Sequence, residues 1–301
     1  MVWRSLQLIT GVLILSTAVI LIKASTTHPV VLTAVRLGLG SLLLWPLEIR
    51  ERRRHAATPL PPSGWHRTWV PAIALSLHFI SWAFAARLTA AAQASLIVNL
   101  VPVALPFFLW SIAAEKITRS ELFGTVFAVI GILILSVGDA IAANGSAWGN
   151  LVCVLSMLLF ALYLALGRRN RDTASLWLYV VPVYRRAALI AALIALPWWV
   201  DGMVWDSTRE WLLVFAIVLG PTITGHSLIN GSMRHFRGQV VSLTNAAQFV
   251  FAGALAWFIF NERPSVSFYV AGLFVMAGIV VVVWATPSRV LSTRSDPVAP
   301  D

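Results

Sequence analysis

The sequence predicts an all-α polytopic membrane protein, ten transmembrane helices arranged as two inverted five-helix repeats, and three observations predict it. The chain is 59% hydrophobic and 11% charged, with a mean hydropathy of +0.83, whereas a soluble domain carries about 25% charged residues. Apolar runs of about 17 to 25 residues, long enough to cross a hydrocarbon core of about 30 Å as helices, recur along the chain with short polar connections. The stretch from Gln93 to Leu135 also occurs twice. Shifted by 147 positions, Ser95-Leu96 falls on Ser242-Leu243, Trp110 on Trp257, Glu115 on Glu262, Thr118 on Ser265 and Gly131-Ile132 on Gly278-Ile279. Arg87 falls on Arg234 by the same shift, so the repeat reaches beyond one helix pair. A repeat near half the chain length reads as two homologous halves.

Taken in order, the first run, Leu6–Ile22, follows Arg4. It is long for the core of a signal peptide and lacks a clear small-x-small cleavage pattern, so it is kept as a span. The second, Val30–Leu47, carries Arg36 and leads into the Arg50–Arg67 loop, where Pro59, Pro61 and Pro62 predict irregular backbone. The third, Trp69–Ala86, holds His78 and Trp82; the fourth, Ala94–Ala113, holds Asn99, Pro102 and Pro106. Thr118 and Glu121 have the spacing of a capping box ahead of the fifth span, Glu121–Val137. On that span Gly124, Gly131 and Gly138 recur every seven residues, a small-residue seam. The seam packs either within the chain or against a second copy in a homodimer. The sixth to tenth spans are Trp148–Gly167, Ser175–Trp199, Trp211–Ser232, Val240–Phe260 and Ser267–Trp284. Residues 1–143 and 144–288 are then the two repeats, and 289–301 a disordered cytoplasmic tail.

Lys and Arg bias sets the orientation. With the N-terminus inside, cytoplasmic segments hold 15 Lys and Arg and outer segments only Lys23, Arg87, Arg209 and Arg263. A multi-pass protein of the cell (inner) membrane with both termini cytoplasmic follows. The net charge of +10 does not indicate nucleic acid, because the cations are dispersed between apolar runs instead of gathered on one face. Cys153 stands alone and supports neither an intrachain disulfide nor a metal cluster. Five spans per repeat is an odd number, so the second half starts on the opposite side and the halves are inverted. Such repeats are a common construction of secondary transporters, with a site near the midplane.

The helix-pair corners with Glu115 and Glu262, the glycines Gly131 and Gly278 in the following helices, and an arginine in the second helix of each half resemble the drug/metabolite transporter superfamily in its ten-helix EamA branch. The resemblance covers Leu6 to Trp284. It implies a central cavity lined by all helices but the fifth and tenth, and movement of amino acids, other small metabolites or drugs, usually outward. The small four-helix relatives exchange protons through a carboxylate in their first helix. The first span here has none.

Polar side chains within spans are costly and face the interior, so each is a candidate for substrate contact. His78 and Trp82 share one helix face, as do His226 and Asn230. His78 lies nine residues before Arg87 and His226 eight before Arg234, which puts the two histidines at mirrored depths. Each is either a proton carrier, since imidazole titrates near physiological pH, or a neutral hydrogen bonder between helices. Asn99, Asn245 and Gln248 form an amide set that either binds substrate or joins helices. Arg36, near the outer end of its span, reads as a charge partner or gate, and Arg185, nearer mid-span, as a substrate anchor. Tyr163 and Trp82 are the preferred cavity aromatics among Phe79, Trp110, Phe160, Trp177, Tyr179 and Tyr184. Trp177 and Tyr179 also suit an interfacial belt. Glu115 and Glu262 are assigned structural roles, satisfying backbone N–H groups of the next helix.

No nucleotide-binding glycine loop, metal-spaced His/Glu set or nucleophile elbow is present, so neither an enzyme, a cofactor nor a metal is expected. Interior arginines without mid-span carboxylates favour a small-molecule substrate with a negative group, such as an amino acid. Efflux of lipophilic or cationic drugs is the alternative, and a non-transporting scaffold or intramembrane enzyme the reading from another class.

Overall fold

Inside a bilayer each backbone polar group must be satisfied by the protein itself, and the chain meets this with helices. The computed structural model describes residues 2–56, 65–141, 147–202, 206–263 and 265–285. Eight helices are long and apolar enough to cross a membrane: α1 Trp3–Ala24, α2 Pro29–Arg54, α3 Arg67–Leu88, α4 Ala91–Ala113, α6 Trp148–Arg169, α7 Trp177–Trp198, α8 Thr208–Met233 and α9 Gly238–Phe260. Between and after these lie α5 Arg119–Ile141 and α10 Val266–Ala285. The prolines of the Arg50–Arg67 loop and the expected tail 289–301 fall outside the described residues.

Several helices are broken at mid-depth, and the sequence explains two of the breaks. Proline has no N–H, and its ring displaces the carbonyl four residues earlier. The first segment of α4 accordingly stops at Val98, four before Pro102, and the chain re-enters helix at Val101. In α8 the regular helix stops at Ile217, four before Pro221, and Val218–Gly225 continues as a π-helix. Helix α1 is interrupted at Thr17 and α9 at Ala247.

Four findings bear on the sequence-based expectations, three as corrections and one, the glycine seam, as a choice between two readings left open. Helix α2 does not end at Leu47 but runs on to Arg54, because Glu48 and Arg52 pair one turn apart at 2.6 Å and three arginines complement its C-terminal end. Glu48 is therefore buried at 1% exposure. Trp110 is exposed on the outer surface, not in a cavity, and Tyr179 is buried in the core, not in a belt. The glycine seam packs within the chain. A Cβ on Gly124 would lie 2.9 Å from the Gly278 carbonyl oxygen, and one on Gly131 2.7 Å from that of Ala271, so α5 and α10 are in backbone contact. Gly138 lies outside the residues whose surroundings are described.

The third correction concerns the glutamate corners. Glu115 accepts from the backbone N–H of Gly238 at 3.0 Å, at the start of α9, and from Arg168 Nε at 2.7 Å, at the end of α6. Glu262 accepts from the N–H of Ala91 at 3.0 Å, at the start of α4, and pairs with Lys23 at the end of α1. Each carboxylate thus serves a helix distant in sequence, not the next one. Arg237 binds Glu121, and that hydrogen-bonded carboxylate holds its pKa above the usual guanidinium range. Thr118 and Glu121 form the reciprocal capping box, at 2.7 and 3.3 Å. The helix pairings include α2 with α7, α3 with α6, α1 with α8, α4 with both α6 and α9, and α5 with α10.

Candidate polar site at the helix core

Polar and aromatic side chains from α2, α3, α6, α7 and α8 converge in the middle of the bundle. Arg36 projects from α2 and is only 1% exposed. Its guanidinium carbon lies 3.9 Å from the centre of the Phe79 ring, and Nε donates to Thr222 Oγ1 at 3.0 Å. Nη1 is buried with no hydrogen-bond partner. Thr222 sits in the π-helical turn of α8, and Tyr184 from α7 donates to its carbonyl oxygen at 2.7 Å. The wide turn that Pro221 induces thus brings both the hydroxyl and the carbonyl of Thr222 into use.

The two histidines share this cluster. Phe79 lies 4.9 Å from the His226 ring, and Phe160 stacks on His78 at 4.6 Å and meets His226 edge-on at 5.7 Å. His78 Nδ1 is 2.9 Å from both the carbonyl oxygen and Oγ of Ser156, which ties α3 to α6. His226 Nδ1 has no partner. Asn230, one turn on, donates to Tyr163 Oη at 2.9 Å while its Oδ1 is left without a partner. Buried polar atoms are ordinarily paired. Three unpaired ones around one aromatic cage, a guanidinium N–H donor, an imidazole nitrogen and an amide oxygen, suit a ligand that brings both an acceptor and a donor.

The predicted residues divide. His78, Tyr163, His226 and Asn230 meet in the cage, and Arg36 joins them. Arg185 does not. The expected depths of the two arginines are reversed, since the Arg185 side chain is 52% exposed and lies 3.4 Å from Glu48. The expectation that no carboxylate serves the interior arginines therefore fails for Arg185, whereas the contacts of Arg36 are with Thr222 and Phe79. The physical reason is the extension of α2, which carries Glu48 to the α7 contact. Trp82 also separates from the cage and packs with Ile22, Val30 and Ala34 in a distinct apolar cluster. Asn99 and Asn245 bond to each other, Asn245 Nδ2 donating to Asn99 Oδ1 at 3.1 Å, and Gln248 donates to Asn245. This amide chain joins α4 to α9 where both are broken.

Thr222 and Ser156 were not anticipated. Both carried a readable signal: Thr222, His226 and Asn230 form an i, i+4, i+8 stripe, and Ser156, Phe160 and Tyr163 an i, i+4, i+7 stripe, each on one helix face. Hydroxyl residues inside apolar runs blend with ordinary helix content, so neither stood out singly.

Comparison with known proteins follows the same two halves. The signature of the EamA-like transporter family matches residues 3–137 and again 147–284. Relatives include the pseudopaline exporter CntI of Pseudomonas aeruginosa strain UCBPP-PA14, 24% identical over 263 residues, covering 87% of this chain and 86% of that one. The protein of that name from strain PAO1 is equally similar, at 24% identity over the same share of each chain. A solved structure titled only "Crystal structure of protein" superposes with a TM-score of 0.74 at 20% identity, over 93% of this chain and 97% of the other, and so shares the fold.

Proposed function

The chain belongs to the EamA-like transporter family, a multi-pass membrane protein, and from that premise we propose that it is a secondary exporter of amino acids or similar small metabolites. Transport proceeds by alternating access of the central cage to the two sides of the cell (inner) membrane, with the N- and C-termini in the cytoplasm. The observation that carries the substrate class is Arg36, a buried guanidinium with an aromatic floor, one hydroxyl partner and an unpaired Nη1. A planar cation in a dry site recognises a carboxylate by paired N–H donors. His226 Nδ1 and Asn230 Oδ1 are placed to receive the amine end, and Phe160 and Tyr163 to hold an apolar part.

The pairing of helices supports ten spans in two inverted repeats, 1–143 and 144–288. Exchanging the halves maps α2–α7, α4–α9 and α5–α10 onto themselves and α3–α6 onto α8–α1. The two glutamate latches obey the same exchange: Glu115 with Arg168 and the start of α9, Glu262 with Lys23 and the start of α4. The arginines Arg87 and Arg234 do so too, donating to the Thr27 and Thr173 carbonyl oxygens at 2.7 and 2.6 Å. One latch closes each face of the bundle, and opening one while the other holds would expose the cage to one side. The naming of a relative as an exporter favours the outward direction. Lipophilic cations, the alternative substrates, would meet the Arg36 charge unopposed.

Counterflow in proteoliposomes tests this reading. Labelled amino acid should enter only when an unlabelled substrate is present on the far side. A scaffold protein or an intramembrane enzyme gives no exchange, and exchange confined to cationic drugs overturns the substrate class.

A further inference from the structure

Away from the cage, a basic cleft and an apolar groove meet at the same two residues. The cleft, about 110 Å³, lies where α2 ends and α3 and α7 begin, and contains Arg52, Arg67, Arg185 and Arg186. The groove, open and about 790 Å³, runs down the flank between α2 and α7 from Arg185 and Arg186 past Gly38 and Leu39 to Ala192 and Trp199. Arg185 stands on the outward stripe of α7, in line with Leu189, Leu193 and Leu196, which are 50%, 59% and 67% exposed. That stripe faces lipid. From Arg185 to Trp199 is 14 residues, roughly 21 Å of helix, more than the ~15 Å depth of one leaflet.

The charges in the cleft do not cancel. Glu48 is shared between Arg52 at 2.6 Å and Arg185 at 3.4 Å, and Asp172 lies 3.6 Å from Arg67. Arg186 has its guanidinium carbon 5.3 Å from the Trp69 ring and donates to the Pro182 carbonyl oxygen at 3.4 Å. Four guanidinium groups against two carboxylates leave two positive charges beside lipid. Cations at that depth require a counter-charge or a route to the interface. Basic pockets between membrane helices meet that need with anionic headgroups.

We propose that this cleft and groove are a binding site for an anionic phospholipid, its phosphate on Arg185 and Arg186 and one acyl chain along the α2–α7 groove. A free phosphate answers the charge but leaves the groove unfilled; a zwitterionic lipid fills the groove but carries its own cation into the cleft. The site holds whatever the transported substrate is, because it lies outside the cage.

Native mass spectrometry of the full chain in neutral detergent tests it, with phosphatidylglycerol, phosphatidylcholine or inorganic phosphate added. Phosphatidylglycerol is retained one per chain, roughly tenfold more strongly than phosphatidylcholine, and millimolar phosphate does not displace it. Arg185→Gln with Arg186→Gln brings phosphatidylglycerol down to the phosphatidylcholine level. Gly38→Phe tests the groove separately: a Cβ there meets no atom within 4 Å, so the ring enters the groove without disturbing the helix pair, and retention falls. Equal retention of both lipids, displacement by phosphate, or an unchanged preference in a folded double variant overturns the proposal. Should the double variant fail to fold, the lipid comparison on the unaltered protein and Gly38→Phe still decide it.

Discussion

Replacing Arg36 by methionine separates a substrate anchor from a structural arginine, because the two roles predict opposite effects on stability. In the closed bundle Arg36 gains a desolvated cation–π contact with Phe79 at 3.9 Å, about 2 kcal/mol, and one charge-assisted hydrogen bond to Thr222, about 1.5–3 kcal/mol. Against this stands the effective cost of burying an ion, several kcal/mol, with Nη1 left unpaired. The terms nearly cancel, and an apolar side chain of similar length removes all of them. Arg36→Met is therefore expected to leave the unfolding midpoint in detergent unchanged or raised. Transport should suffer, since a substrate carboxylate deprived of its buried partner loses about 3–5 kcal/mol, a fall of roughly 10²- to 4 × 10³-fold in kcat/KM for counterflow. Arg36→Lys keeps the charge but not the fork and should recover part of the loss. A methionine variant that is destabilised by more than about 3 kcal/mol, or that exchanges substrate within threefold of the unaltered protein, refutes the reasoning and makes Arg36 structural.

Glu115→Ala should destabilise more than Glu262→Ala in thermal denaturation. It strips Arg168, whose side chain is 10% exposed, whereas the Lys23–Glu262 pair is 25% and 27% exposed, so about 3 kcal/mol is expected against about 1. Gly278→Ala sets a Cβ 2.6 Å from the Gly124 carbonyl oxygen, while Gly38→Ala meets nothing within 4 Å; the first should cost about 1–3 kcal/mol and the second stay within about 0.5. If export is driven by protons, His226→Asn should abolish the response of vesicle uptake to an imposed pH gradient, because its Nδ1 is unpaired whereas His78 is held by Ser156; a response that survives the substitution excludes His226 as the carrier. Thr222→Val leaves Arg36 Nε without its acceptor and should lower stability by about 1.5–3 kcal/mol while raising KM for carboxylated substrates, which thermal denaturation and initial rates across substrate concentration would show.

The sequence by itself determined what depends on local composition and periodicity. Apolar length produced the spanning helices, the 147-residue shift exposed two related halves, and charge bias proposed their orientation. The fold positions of His78, His226 and Tyr163 could be approached because i, i+4 spacing places residues on a helix face without reference to any other helix. What it could not decide was which faces meet. Arg36, and Arg185 with Arg186 beside it, each read as a cation in an apolar run, yet Arg36 is buried over Phe79 and Arg185 lies on the exposed stripe of α7. The difference was set by the extra two turns of α2 that bring Glu48 to Arg185, and by the Pro221-induced π-turn that brings Thr222 to Arg36. Glu115 and Glu262 were legible as corner residues, but their bonds reach 123 and 171 positions along the chain. Helix packing alone closes such distances. Burial and pairing are properties of the assembled bundle, so the sequence could name the polar residues inside the membrane, and only the tertiary structure could say which of them remain unpaired.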